Sequence, residues 1–239
     1  FLSKKIENTG SGDQAPGLEG DMRKLRILCL HGYAMSAEKF SGRTGSIRKG
    51  CKSIANFEYV DAPHVADAAW VNHTNDSLSL AWWNMQEESS RPSISRHYRG
   101  ATQSLDKLKE HVDINGPYDG ILGFSQGASC AALLCARCPK DFKFGIFISG
   151  FVPRDAEMQR ILENAQNTTV ISRSLHAWGL KDQLVPENKT KELVEYFESE
   201  AAAISCYSHS GGHFVPSNAE FRKLIKRFIH QELDVQQNS

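Results

Sequence analysis

The stretch from Tyr118 to Ala128, Tyr-Asp-Gly-Ile-Leu-Gly-Phe-Ser-Gln-Gly-Ala, constrains the fold more than any other part of the chain. A short apolar run, Gly120 to Phe124, leads straight into Gly123-Phe-Ser125-Gln-Gly127, and a small-residue helical run follows from Ala128 to Ala136. A serine between a strand and a helix, with glycine two before and two after, is the G-x-S-x-G pattern of a nucleophile elbow. Such a turn holds the serine in an unfavourable backbone conformation and crowds the neighbouring backbones, so the flanking residues must be small. It lifts the hydroxyl above a sheet at a helix N-terminus, whose free N–H groups can stabilise an anion. The rival reading is a Gly-rich strand-to-helix turn with an incidental serine. The rest of the chain decides between them.

Apolar runs and helical spacings alternate along the chain. Leu25 to Leu30 is continuously apolar apart from Arg26 and ends in His31-Gly32-Tyr33, which suits a strand buried on both faces. Phe40 to Ala55 reads as helical despite Gly42, Gly45 and Gly50, and Phe57 to Val60 as a strand closed by Asp61-Ala-Pro63. Residues 64–95 fit neither a strand nor a long helix and carry Trp70, Trp82 and Trp83. A loop of that length is a packed excursion over the sheet edge or the wall of an apolar pocket. Tyr98, Ala101, Leu105, Leu108 and Val112 share one helical face of a segment from Ser95 to Val112. After the elbow come a strand at Phe144–Ile148, a helix at Pro153–Ala165, a strand at Val170–Trp178 and a helix from Glu187 to Glu198. A last strand, Ala201–Tyr207, precedes a closing helix marked by Phe221, Leu224, Ile225, Phe228 and Ile229. Strand and helix alternate about six times, which predicts an α/β fold: a mostly parallel sheet of about six strands with helices on both faces.

In such sheets sites form at the carboxyl ends of the strands. Tyr33, Ser125, Asp182 and His213 all follow predicted strand ends. Serine is a weak nucleophile until a base takes its proton and a third group holds that base. The order Ser125, Asp182, His213 is that of the α/β-hydrolases. It assigns Ser125 as nucleophile, His213 as general base and then acid, and Asp182 as the group that orients the imidazole. The backbone N–H groups of Tyr33 and Gln126 are the expected oxyanion donors. Each assignment has a rival. His209 competes with His213, but Gly211 and Gly212 suit the tight loop a catalytic histidine needs. Asp155 follows the strand after the elbow, one strand too early, and sits where it can cap a helix. His31 reads as packing under the first loop, Ser129 as simply small, and Trp178 as core. The basic run Arg222 to Arg227 reads as the solvated face of an amphipathic helix.

Composition bounds what else the chain can be. Its 239 residues carry 28 basic and 28 acidic side chains, so the net charge is zero and nothing points to nucleic acid or an anionic membrane. No apolar run approaches a membrane span. The six cysteines lie in strands and helices, which favours reduced core thiols and a cytoplasmic setting. Cys135-x-x-Cys138 has neither a second such pair nor a histidine pair, so no metal is expected. N-x-S/T sequons at Asn72, Asn75, Asn167 and Asn188 pull weakly toward a secretory route. Residues 1–22 read as a flexible leader, 23–233 as one hydrolase domain and 234–239 as a tail.

Several longer stretches resemble the fungal family of serine hydrolases, the FSH-type α/β-hydrolases, which also has animal members. They are Leu28-Cys-Leu-His-Gly-Tyr33, Asp61-Ala-Pro63, Ala81-Trp-Trp83, Asn115 through Ala128, Ser149-Gly-Phe151, Ser174-Leu-His176 with Asp182, and His209-Ser-Gly-Gly-His-Phe-Val-Pro216. Together they cover about residue 25 to 230. The resemblance implies a hydrolase with no large cap domain, no metal and no cofactor, and it carries the triad onto Ser125, Asp182 and His213. It further implies carboxylic ester or acyl thioester substrates, including polyketide or fatty acyl chains and acyl groups held on a carrier protein. Residues 64–95 are where relatives vary, and Trp82 and Trp83 are expected to line the acyl site. Two alternatives use the same fold. One is an acyltransferase working through the same acyl-enzyme, and the other is a small-molecule receptor with little turnover.

Overall fold

The computed structural model describes residues 23–67, 78–86, 93–165 and 170–237. The expected leader, Trp70 and the sequons at Asn72, Asn75 and Asn167 lie outside the described residues. In chain order the elements begin with β1 (Leu25–Leu30), α1 (Ala37–Arg43), α2 (Gly45–Cys51) and β2 (Ala55–Val60). Four two-residue strands follow: β3 (His64–Val65), β4 (Leu80–Ala81), β5 (Asn84–Met85) and β6 (Tyr98–Arg99). Then come α3 (Ala101–Asn115), β7 (Gly120–Phe124), α4 (Gln126–Arg137), β8 (Phe144–Ile148) and α5 (Ala156–Ala165). The chain closes with β9 (Arg173–Gly179), α6 (Glu187–Glu195), β10 (Ala203–His209) and α7 (Ala219–Gln237).

Six strands form one parallel sheet in the order β10-β9-β8-β7-β1-β2. The period-two alternation of each strand feeds two cores. Leu28, Leu30 and Ile121 point to one face, packed by α3, α4 and α5 through Leu105, Leu134 and Leu162. Leu25, Ile27, Cys29 and Leu122 point to the other, covered by Phe40 of α1, Ile47 of α2 and Phe221, Ile225 and Ile229 of α7. Each fully buried aromatic or branched aliphatic side chain contributes about 1.5–3 kcal/mol over leaving it in water. Helices therefore cover both faces, as a parallel sheet demands.

The sheet order also places the site. From β1 the chain steps to β2 at one edge, then returns to β7 on the other side of β1 and moves away from it. Strand order thus reverses between β1 and β7. A crevice opens there outside the carboxyl ends of the strands.

Some boundaries differ from those the sequence suggests. The helix expected from Phe40 to Ala55 is two short helices broken at Thr44, whose hydroxyl donates back to Phe40 O (3.0 Å). The helix expected from Ser95 begins only at Ala101, because Gly100 takes φ 88° and ends the preceding β5–β6 ladder. Tyr98 therefore leaves the helical face and stacks on Trp83. The last helix continues to Gln237, past the tail boundary expected at 233.

Candidate active site

β7 runs into α4 through Ser125, which sits at φ 54°, ψ −121°. A non-glycine residue there costs about 1–3 kcal/mol and persists only where its surroundings hold it. They do. The Ser125 amide donates to Ile148 O (2.8 Å), and its carbonyl accepts from Ala128 N (2.9 Å) and Ser129 N (3.1 Å). Two glycines make the turn possible. A Cβ on Gly123 would lie 2.4 Å from Gly127 O, and one on Gly127 would lie 2.2 Å from Leu30 O. Ser129 has a larger part than small size suggests: its hydroxyl donates to Phe151 O (2.6 Å) and accepts from Phe151 N (3.0 Å), tying α4 to the loop after β8.

His213 stands over this turn. Its Nε2 lies 2.9 Å from Ser125 Oγ, and its Nδ1 lies 2.6 Å from Asp182 Oδ2. The other Asp182 oxygen accepts from Leu184 N (3.0 Å) and Val185 N (2.8 Å). The Asp182 side chain is fully buried. Burial pushes its carboxyl up, but the hydrogen bond and charge of His213 and the two amides outweigh that and hold it below its usual value. The loops after β9 and β10 are stapled together by Leu180 N to His209 O (2.8 Å) and Lys181 N to Gly211 O (2.9 Å). Gly179 permits this approach, since a Cβ there would lie 2.4 Å from Gly212 O. Phe124 packs under the His213 ring at 4.9 Å.

The rivals fall elsewhere. His209 accepts the Gly211 amide at Nδ1 (3.2 Å) and packs on Phe214; burial pushes its pKa down. Asp155 accepts from Glu157 N (3.0 Å) at the start of α5 and from Tyr98 N (3.1 Å). His176 is buried among Phe147 and Phe197, and burial lowers its pKa to about 3. Trp178 is core. Cys135 and Cys138 are free thiols that burial pushes up, away from the reactive thiolate.

A hydrogen-bonded circuit surrounds the two amides expected to face an oxyanion. Gln126 opens α4, where N–H groups have no carbonyl of their own helix to bond. Its side chain accepts from Trp82 N (2.9 Å) and donates to Trp83 O (2.7 Å). The Trp82 indole donates to His31 O (2.8 Å). His31 is wholly buried; Ala62 N donates to its Nε2 (3.0 Å), so the proton sits on Nδ1, which donates to Gly32 O (2.8 Å). Burial lowers the His31 pKa, keeping this neutral form. Gly32 C=O and Tyr33 N–H belong to one planar trans peptide and point in opposite directions, so fixing the carbonyl fixes the amide. The Tyr33 hydroxyl donates to Asn84 Oδ1 (2.9 Å), anchoring the same loop, and burial raises its pKa to about 12.

Beside Ser125 lies a cavity of about 270 Å³ whose apolar wall includes Met35, Phe124, Phe151, Leu184 and Val185. Gly32, Tyr33, Ala34, Arg43, Ser93 and His213 complete its described lining. Trp82 and Trp83, expected in that wall, are not part of it. Both are about 1% exposed and belong to the core, Trp82 against His31 and Trp83 against Tyr98. Their backbones are clamped by Gln126 from one side, and Ser104 Oγ bonds Trp82 O from the other. Sequence reasoning missed the true lining, although Leu184 and Val185 follow Asp182 by two and three positions and Phe151 follows the end of β8.

The family model described as "Serine hydrolase (FSH1)" matches residues 21–225. The chain belongs to the FSH1 serine hydrolase family. Among curated relatives, Esterase C25G4.2 of Caenorhabditis elegans is 36% identical over 226 residues, covering 88% of this chain and 95% of its own. Esterase OVCA2 of Danio rerio is 30% identical over 225 residues, covering 86% and 96%. Among solved structures, Arabidopsis thaliana SOBER1 superposes with a TM-score of 0.62 at 18% identity, covering 88% of this chain and all of that one. At that identity the likeness speaks for the fold, which in this FSH1 member is the α/β-hydrolase sheet without a large cap domain. No described helix is long and apolar enough to cross a membrane.

Proposed function

We propose that the chain is a serine esterase cleaving carboxylic esters or thioesters of an apolar acyl group, with Ser125 as nucleophile. The observation that carries this is the unbroken hydrogen-bonded series from Asp182 through His213 to a strained Ser125 at the mouth of an apolar cavity. His213 Nε2 takes the hydroxyl proton as Ser125 Oγ bonds to the substrate carbonyl carbon. Asp182 stabilises the imidazolium. Negative charge on the carbonyl oxygen falls to the Gln126 and Tyr33 amides, one of which is typically worth about 3 kcal/mol of barrier. His213 returns the proton to the departing alkoxide or thiolate, leaving an acyl-Ser125. Water then repeats the sequence, giving its proton to His213 and releasing the acid. At roughly 30 Å³ per water-sized group, the cavity has room for an acyl chain of medium length.

The test is intact mass after treatment with a fluorophosphonate, on the wild type and Ser125→Ala. One adduct on the wild type and none on the variant supports an activated Ser125, and graded acyl esters and thioesters then rank the substrates. A folded wild type that takes no adduct overturns the reading.

A further inference from the structure

The cavity wall is not uniformly apolar. Met35, just before α1, and Arg43, the last residue of that helix, both line the cavity. Among the described lining residues no carboxylate appears; the titratable side chains are Arg43, His213 and Tyr33, and the Tyr33 hydroxyl is already taken by Asn84. The Arg43 side chain is exposed at the cavity rim and makes no ion pair or hydrogen bond with another described residue. The α1 N-terminus is fixed by Asp61 Oδ1 on Ala37 N (2.7 Å) and by Ser36 on Lys39 N (3.3 Å), so the helix holds its end in place. Seven helical residues span roughly 10 Å, so the Arg43 backbone stands about that far along α1 from the Tyr33 loop that precedes the helix. With a net charge of zero, the chain as a whole has no general pull on anions.

We propose that Arg43 is a subsite for an anionic group on the substrate, so that the preferred esters carry a carboxylate or phosphate several bonds from the scissile carbonyl. This rests on the reading of Ser125 as the acylated nucleophile. A guanidinium pairs with either anion through two parallel N–H donors, a geometry that adds specificity as well as energy. Binding a remote group in this way positions the reacting carbonyl. The anion can belong to the acyl part, as in a half-ester of a dicarboxylic acid, or to the leaving alcohol or thiol.

Matched substrates distinguish the two. One arm compares 4-nitrophenyl half-esters of straight-chain dicarboxylic acids with the same acyl chains ending in a neutral amide. The other compares a neutral acyl thioester of 3-mercaptopropionate with that of its amide. Each is measured on the wild type, Arg43→Gln and Arg43→Glu. The expected result is a wild-type preference in kcat/KM for the anionic member in one arm. That ratio falls roughly tenfold or more in Arg43→Gln, the scale of a hydrogen bond to a charged group, and falls further in Arg43→Glu. It also narrows as salt rises. A wild-type ratio near one in both arms, or a ratio unmoved by either substitution, overturns the proposal, as a solvated helix-end cation would give. Two further readouts separate this failure from that of the nucleophile reading. A neutral fluorophosphonate still labels the Arg43 variants where only the subsite reading is wrong. Binding to Ser125→Ala of the anionic substrate from whichever arm shows the preference, unaffected by adding Arg43→Glu, strikes the subsite without reference to turnover.

Discussion

Gln126→Leu keeps the size of the side chain and removes both of its buried hydrogen bonds, to Trp82 N and Trp83 O. Each stranded backbone group costs about 1–3 kcal/mol, so the pair costs about 4 kcal/mol. In a protein of this size 1 kcal/mol shifts Tm by about 2–4 °C, which puts the expected fall near 12 °C. The Gln126 amide stays in place, so any catalytic loss passes through Trp82, His31 and Gly32 to the Tyr33 amide. Its ceiling is the loss of one oxyanion donor, about 10²- to 10³-fold in kcat. Because that contact forms only in the transition state, kcat should fall with KM little changed. Gln126→Glu adds a sign. Its carboxylate keeps an acceptor for Trp82 N but sets an oxygen against Trp83 O, where only a protonated carboxyl can donate. The folded-state pKa of that Glu is therefore raised above its unfolded value near 4.3. The folded state then holds the proton more tightly, so stability falls as pH rises from the unfolded to the folded pKa, by about 1.4 kcal/mol for every pH unit that separates the two. Thermal unfolding at pH 5 and pH 8, alongside kcat and KM on one acyl ester, checks all of this. A Gln126→Leu protein melting within about 2 °C of wild type, at wild-type kcat, would refute the circuit.

Asp182→Asn should lower kcat about 10⁴-fold, by removing the group that selects the His213 tautomer, with little change in fluorescence-detected folding. Because the Asp182 pKa is depressed, its contribution to stability is present above the unfolded value near 3.9 and lost as pH falls through the folded one; the Tm gap between wild type and Asp182→Asn should therefore close below about pH 4. Gly127→Ala forces a Cβ against the backbone of Leu30 and His31 and should cost about 3 kcal/mol or prevent folding, whereas Gly50→Ala in α2 meets nothing within 4 Å and should raise stability by about 0.5–1 kcal/mol in a urea titration. Phe151→Ala enlarges the cavity and should move the acyl-length optimum upward, while Trp83→Phe, outside the lining, should leave that optimum where it was.

What could be read in the sequence follows from where the physical constraint is local. β1 (apart from Arg26), β7 and β8 are continuous apolar runs because both faces of the sheet are covered. Gly123 is dictated by contacts with Gly127 and Ala128, within a few residues of Ser125, while Gly127 answers to Leu30 and His31 at the end of the neighbouring strand. The approach of Asp182 and His213 was legible for a related reason, since each stands a few residues past a strand end and the sheet order brings those ends together. The segment from 64 to 100 was not, because the strands among its described residues are two residues long and impose no period. The helical spacing of Tyr98 with Ala101 was real in sequence and false in space, broken by the positive φ of Gly100.

Trp82 and Trp83 show the limit most plainly. Two adjacent tryptophans in an irregular stretch suggest an apolar pocket, and side-chain chemistry alone cannot say which side of the backbone they face. That is decided by Gln126, 44 residues later for Trp82, whose side-chain amide bonds the backbone of both. A side chain bonded to backbone is blind to the identity of the residues it holds, so it leaves no mark in the composition of the segment it clamps. The same clamp turns both indoles into the core, and through the Trp82 indole it reaches the peptide that carries the Tyr33 amide. On the proposed mechanism Trp82 supports the loop behind the oxyanion, and a substitution there should read out in kcat before it reads out in acyl preference.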